Sequence, residues 1–219
     1  WRVTTLRIAN EEMLHLAIVN NLLVAVGARP HYQRPNFPVA PGVFPSDVAL
    51  ELAPFDEQAM DHFVYLERPS DIEERDAPRY AEDKGDYERV VPKRRLMPFA
   101  QDYATVGELY VVIAASLRKL SAELGEAALF AGSREAQLSQ TDFRLPGLCT
   151  VGGLDDALAA IDLVVRQGEG SAVNVAGSHY ARFSAMRSEW QDLKRANPAF
   201  RPWWPVARHP VMRSPIDPE

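Results

Sequence analysis

The stretch Ile8-Ala9-Asn10-Glu11-Glu12-Met13-Leu14-His15-Leu16-Ala17-Ile18-Val19-Asn20-Asn21-Leu22-Leu23-Val24-Ala25-Val26-Gly27 decides how the rest of this sequence is read. Within it Ile8, Glu12, His15, Val19, Leu22 and Val26 are spaced 4, 3, 4, 3 and 4, the repeat that sets side chains on one face of an α-helix. That face is expected to be buried, in a helix from about Thr4 to Val26 that stops at Gly27. Two of its members ionise. Glu12 and His15 stand three apart, where helical side chains meet.

Burying a lone carboxylate costs roughly several kcal/mol unless something pairs with it. One reading is a core histidine satisfied by its neighbouring glutamate. The other is a bound cation, because Glu-x-x-His is the spacing of helical bundles that hold two iron or manganese ions through carboxylates. Glu11 lies about 100° around the helix from Glu12, so it either supports a ligand or faces solvent.

Other segments repeat the pattern. A helix is expected from Thr105, its N-cap, to Leu124 before Gly125. Its start, Glu108-Leu109-Tyr110-Val111-Val112-Ile113-Ala114-Ala115, is apolar nearly all round, so the helix reads as buried. Glu108 is then either a ligand or an acid favoured by the helix dipole. Tyr110 reads as core with a hydrogen-bonded hydroxyl, a redox role being the alternative.

In the helix Asp155–Gln167, Ile161, Val165 and Glu169 follow at intervals of four, and glycines flank Glu169. Either the glycines cap the helix and leave Glu169 exposed, or they admit another backbone beside a ligand. From Ser178 to Ala196, His179, Phe183, Met186, Trp190 and Leu193 form one more face headed by a histidine. Tyr180 and Arg182 beside it are candidates for holding ligands in place. A short helix near Asp56–Leu66 turns Phe55, Ala59, Phe63 and Leu66 to one side. The class is mainly α: a helical bundle with long loops and no convincing strand.

The loops are rich in proline. Six of 17 prolines fall between Pro30 and Pro54, and six more between Pro198 and Pro218. Residues 67–95 carry 8 basic and 9 acidic side chains and read as a solvated loop. His31, His62 and His209 are expected at the surface or in loops, and Cys149 has no catalytic role. The tail Phe200-Arg201-Pro202-Trp203-Trp204-Pro205 is expected to pack on the bundle. Arg34, in the long loop 28–54, and Arg182 are candidates to meet a substrate carboxylate.

With 24 Lys and Arg against 30 Asp and Glu, the net charge of the 219 residues is −6, which argues against a nucleic-acid binder. No apolar run approaches the roughly 20 residues that span a bilayer. One cysteine excludes an intrachain disulfide and suits a reducing, cytoplasmic setting.

Taken in order, Glu11-Glu12-Met13-Leu14-His15-Leu16, Gly27-Ala28-Arg29-Pro30, Phe63-Val64-Tyr65-Leu66-Glu67-Arg68-Pro69, Thr105-Val106-Gly107-Glu108-Leu109-Tyr110, Gln167-Gly168-Glu169-Gly170 and Ser178-His179-Tyr180-Ala181-Arg182-Phe183 cover most of the chain. Together they resemble the ferritin-like iminophenylpyruvate dimer synthase family. The resemblance implies a single ferritin-like domain over 1–219, with irregular loops at about 28–54 and 67–98 and a proline-rich tail 198–219. It implies metal ligands at Glu12, His15, Glu108, Glu169 and His179, with iron the expected metal and manganese or another transition metal the alternative. The family is named for enzymes that oxidatively couple imines derived from indolepyruvate.

This sequence departs from the family in lacking a first bundle helix, which normally brings one more glutamate. The expectation is a domain incomplete at both ends, with another segment or chain supplying that helix. The functional expectation is a non-haem metal oxidoreductase acting on an amino acid or a derived imine. Its rival is a non-catalytic metal-binding or structural subunit that works with a partner chain.

Overall fold

The computed structural model describes residues 1–33, 37, 50–81, 103–168 and 175–206. Among these, six α-helices follow one another: α1 (Arg2–Ala25), α2 (Glu57–Leu66), α3 (Val106–Leu124), the single turn α4 (Glu126–Leu129), α5 (Leu154–Gln167) and α6 (His179–Ala196). No strand occurs among the described residues, and none of their helices is long and apolar enough to cross a membrane. Caps set several ends. Asp56, Thr105 and Ser178 each accept from the backbone three residues on, which satisfies an orphan amide in the first turn. Gly27, at φ 80°, turns the chain out of α1 where a side chain would be strained.

Two apolar cores meet along α1. Its first half contributes Ile8 to a core with Met60 and Val64 of α2 and with Phe183, Met186 and Trp190 of α6. Its second half contributes Leu14, Ala17, Ile18 and Ala25 to another core with Ala157, Ala160 and Val164 of α5 and with Leu148 and Val151. Glu11, Glu12 and His15 fall at the junction. The helix that carries the ionisable residues is therefore clamped on both sides of them.

The buried face of α1 departs from the expected stripe in its second half. Val19 and Leu22 are only half-buried and Val26 is exposed, whereas Asn20 and Asn21 are buried. The reason is polar. Asn21 donates to the carbonyls of Leu138 and Cys149, at 2.8 Å each, and accepts from Leu138 N–H at 2.8 Å. The Asn20 amide bonds Leu16 and His31 in the same way. Those asparagines tie α1 to two loops, which rotates the covered arc away from Val26.

Three further expectations are corrected. Helix α3 is not buried: only Gly107 among its residues is, and Val111 is 67% exposed. The described residues cover it on the side of α5, where Tyr110 and Leu117 reach the core. His62 is not a surface residue. It lies inside α2, stacked on the buried ring of Tyr80 with centroids 3.9 Å apart, and its Nδ1 stands 2.9 Å from both Asp76 carboxylate oxygens. The segment 67–81 is accordingly anchored in part, with Ala77 and Tyr80 buried against Ala59 while Asp71, Glu73 and Arg75 are exposed; residues 82–95 lie outside the described residues.

In the tail, Trp203 does pack, stacked on Trp190 at 5.8 Å, while Trp204 is 84% exposed. Leu193 at the end of the α6 stripe is also exposed. Cys149 is half-buried, and burial pushes its thiol up.

Candidate metal centre

Three helices converge on the ring of His179, the first residue of α6. Glu12 approaches from α1, and Glu67 from the residue that caps α2. Nδ1 of His179 is 2.9 Å from Glu12 Oε1 and 3.5 Å from Glu67 Oε1. One donor atom from each of Glu12, Glu67 and His179 lies within 4.8 Å of the others. His15, one turn along α1, turns its own Nδ1 toward the same Glu12 oxygen at 3.4 Å.

Both histidines are held by their other nitrogen. His179 Nε2 donates to Glu11 Oε2 at 2.8 Å, and His15 Nε2 meets Gln167 Oε1 at 3.0 Å. Those bonds engage Nε2 and leave Nδ1 of both rings turned toward Glu12, which is how a metal-binding imidazole is oriented by the groups behind it. Arg182 donates to Glu11 as well, so the carboxylate behind His179 carries a matched charge.

Close approach depends on Gly168, at the end of α5. A Cβ there would fall 2.0 Å from His179 Nδ1 and 2.5 Å from Cγ. Its φ is −161°, so space rather than backbone conformation demands the glycine. Removing one side chain from α5 admits the imidazole.

The electrostatics are strongly coupled. Burial raises the Glu12 carboxyl, but His15 and His179 outweigh it and bring it down to about 2. Burial likewise depresses His179, yet Glu12 and Glu67 raise it to about 10. Without a metal the ring is therefore an imidazolium facing two carboxylates. Its side chain has 0% exposure, while that of Glu12 is 40% exposed.

These residues fit a metal ion. Glu12 Oε1 and His179 Nδ1 are buried and 2.9 Å apart, but they are not aligned as a hydrogen bond. With Glu67 they gather three donor atoms within 4.8 Å of one another. Carboxylate oxygen with imidazole nitrogen is a donor set for iron or manganese. Ligand bonds of roughly 2.1 Å set donor atoms about 3 to 4 Å apart around such an ion, near the spread observed.

Glu108 is not one of the three converging donors. Its Oε2 accepts from Ala104 N–H at 2.8 Å while its own N–H bonds Thr105, which closes the first turn of α3. Arg68, next to Glu67, donates to the Ala104 carbonyl at 2.6 Å and so ties the start of α3 to the end of α2. Tyr110 packs in the α1–α5 core. Arg182 is engaged with Glu11. Glu169 and Arg34 lie outside the described residues, as does His209.

Sequence reasoning passes over Glu67. The signal is present: it follows Phe63 by four, at the end of the α2 buried stripe, as Glu169 follows Val165. Glu67 also lies in a charged run, which disguises it as part of a solvated loop.

A family model described as Ferritin-like matches residues 1–188. The chain belongs to the ferritin-like family. It is 30% identical over 217 residues to the 2-imino-3-(indol-3-yl)propanoate dimerase of Chromobacterium violaceum. It is 29% identical over 230 residues to the dichlorochromopyrrolate synthase of Lentzea aerocolonigenes. Each alignment takes in 96% of this chain but only 19% and 21% of the two relatives, so the chain spans about a fifth of their length. No solved structure matches it. In ferritin-like di-metal proteins two Glu-x-x-His pairs meet. This ferritin-like chain has one such pair at Glu12 and His15, but His179 is preceded at the corresponding position by Ala176. The carboxylate opposite it is Glu67, from a different helix.

Proposed function

We propose that this ferritin-like chain is a non-haem metal-dependent oxidoreductase acting on an amino acid or an imine derived from one, with Glu12, Glu67 and His179 holding the metal beside His15. The observation that carries this reading is the convergence of Glu12 Oε1 and His179 Nδ1, buried 2.9 Å apart without hydrogen-bond alignment, with Glu67 3.5 Å away. Iron is the favoured ion, with manganese the alternative the same donors accept. Glu169, outside the described residues, is a further ligand under this proposal, and Glu108 steadies the neighbouring turn.

Iron held by Glu12, Glu67 and His179 would supply one-electron redox chemistry. The protein's part is orientation and proton control. Glu11 retains the Nε2 proton of His179, and Gln167 occupies the matching nitrogen of His15, so both rings keep Nδ1 inward. Arg182 neutralises Glu11 and keeps its charge from adding to that of Glu12 and Glu67. The fully buried His179 ring keeps water from one side of the cluster, while Glu12 leaves the other side accessible. The name of one relative, an imine dimerase, supports the substrate class.

Turnover tests the reading. The iron-loaded protein, given an imine formed in place from an aromatic 2-oxo acid and ammonia, is expected to consume dioxygen above the rate of a chelator-treated control. Equal rates with metal bound would favour the non-catalytic metal-binding reading instead.

A further inference from the structure

A cavity of about 280 Å³ opens against the outside of the Glu/His cluster. Its polar end is formed by Arg7, Asn10 and Glu11 of α1 and by Gln167 of α5, its apolar end by Leu14 and Leu145. Glu11 and Gln167 are the groups bonded to His179 and His15, so the cavity and the cluster share a wall. Anything bound there touches the side chains that orient both imidazoles.

The charges on that wall are unequal. Glu11 is matched by Arg182 and His179. Arg7, by contrast, forms no ion pair with any described residue. It stands four residues before Glu11 and three before Asn10, so all three project from one side of α1. The cavity therefore has, at its solvent-exposed mouth, one guanidinium without an ion-pair partner among the described residues and an amide beside it, with Leu14 and Leu145 also in its lining. A guanidinium selects carboxylates through paired, charge-assisted hydrogen bonds. Apolar walls with a few convergent polar groups are what small-molecule sites are made of. Leu145 also borders a second, apolar cavity of about 290 Å³ lined by Met13, Tyr32 and Phe143.

We infer that this cavity is a carboxylate-binding subsite: Arg7 and Asn10 hold the carboxylate of a small organic acid, and Leu14 and Leu145 hold its apolar body. This binding does not depend on the function proposed above, although the cavity shares Glu11 and Gln167 with that site. A bound acid would lie against Glu11 and Gln167, behind the two imidazoles and on the side away from Nδ1.

The test compares 3-phenylpropanoate with 3-phenylpropanamide, which share a shape and differ in charge. Each is titrated calorimetrically into the iron-loaded and the chelator-treated protein. The acid is expected to bind at least about tenfold more tightly than the amide. Arg7→Ala should abolish that preference, and Arg7→Lys should keep part of it, with helicity and metal content unchanged in both. Equal binding of acid and amide, or an undiminished preference in Arg7→Ala, overturns the subsite. A preference that depends on Arg7 in a protein that binds no metal would sink the proposed function and leave the subsite standing. Bound metal with no preference for the acid would do the reverse.

Discussion

Gly168 and His179 are in such close register that the α5 backbone occupies the space beside the imidazole: a Cβ on Gly168 would sit 2.0 Å from Nδ1. The ring cannot swing aside freely, because Glu11 and Glu12 hold it at 2.8 and 2.9 Å. One atom of bulk on α5 thus reaches the centre of the site.

Gly168→Ala is expected to lower stability by about 1 to 3 kcal/mol, the range for overpacking a filled interior. It should also reduce bound iron by more than half while leaving helicity near that of the native protein. Thermal denaturation and metal analysis on the same sample check both. A variant with native stability and native metal content would mean that the ring and α5 are not in contact.

The pH dependence of stability should differ with and without metal. In the metal-free protein Glu12 is lowered to about 2 from 4.5, so its contribution is complete above 4.5 and fades as pH falls toward 2. His179 is raised to about 10 from 6.5, so its contribution is complete below 6.5 and fades as pH rises toward 10. Metal-free protein should therefore be less stable at about pH 9 than at about pH 5.5 through this pair. Metal binding needs the neutral ring, so uptake at neutral pH should release about one proton from His179. Calorimetry in two buffers of different ionisation heat reads that proton. No buffer dependence would contradict the assignment of Nδ1 as a ligand.

In the proposed site Glu11 would act behind His179 rather than on the metal. Glu11→Ala removes the acceptor for the Nε2 proton and leaves Arg182 unmatched. Metal affinity is expected to fall about 10- to 100-fold, as for other groups that orient a ligating histidine. Competition with a chelator of known affinity measures it. Glu11→Gln keeps an acceptor and should recover part of the loss.

How much of this was legible in the sequence varied with the kind of residue. The helices and their caps followed from periodicity and from Thr105, Ser178 and Gly27, and the ferritin-like fold agrees with them. Glu12, His15 and His179 stood out because ionisable side chains interrupted apolar stripes. Glu67 did not, because the residues after it are charged as well, and only the fold distinguishes one acid of a run from the next. Asn20 and Asn21 were unreadable for a related reason. Asn21 is buried on backbone groups more than a hundred residues away in sequence, at Leu138 and Cys149, and Asn20 on the chain beyond the helix at His31. His62 misled through its neighbours: its partner Asp76 comes from a segment that composition alone marks as solvated.

That pair has its own consequence. Asp76→Ala leaves the buried Nδ1 of His62 without its acceptor and removes the link that packs residues 67–81 on α2. A loss of about 3 kcal/mol is expected, in the range for breaking a buried charge-assisted pair. Urea denaturation checks it. A change well under 1 kcal/mol, by the same reasoning, would mean that the pair is not closed in solution.

The central claim is that one metal ion is held jointly by α1, α2 and α6. Anomalous diffraction at the iron edge, from crystals of protein loaded with ferrous iron, addresses it directly. The expected result is a peak in contact with Glu12, Glu67 and His179, absent from Glu12→Ala crystals of the same form. Iron-loaded crystals with no peak there, or with a peak away from all three side chains, would contradict it.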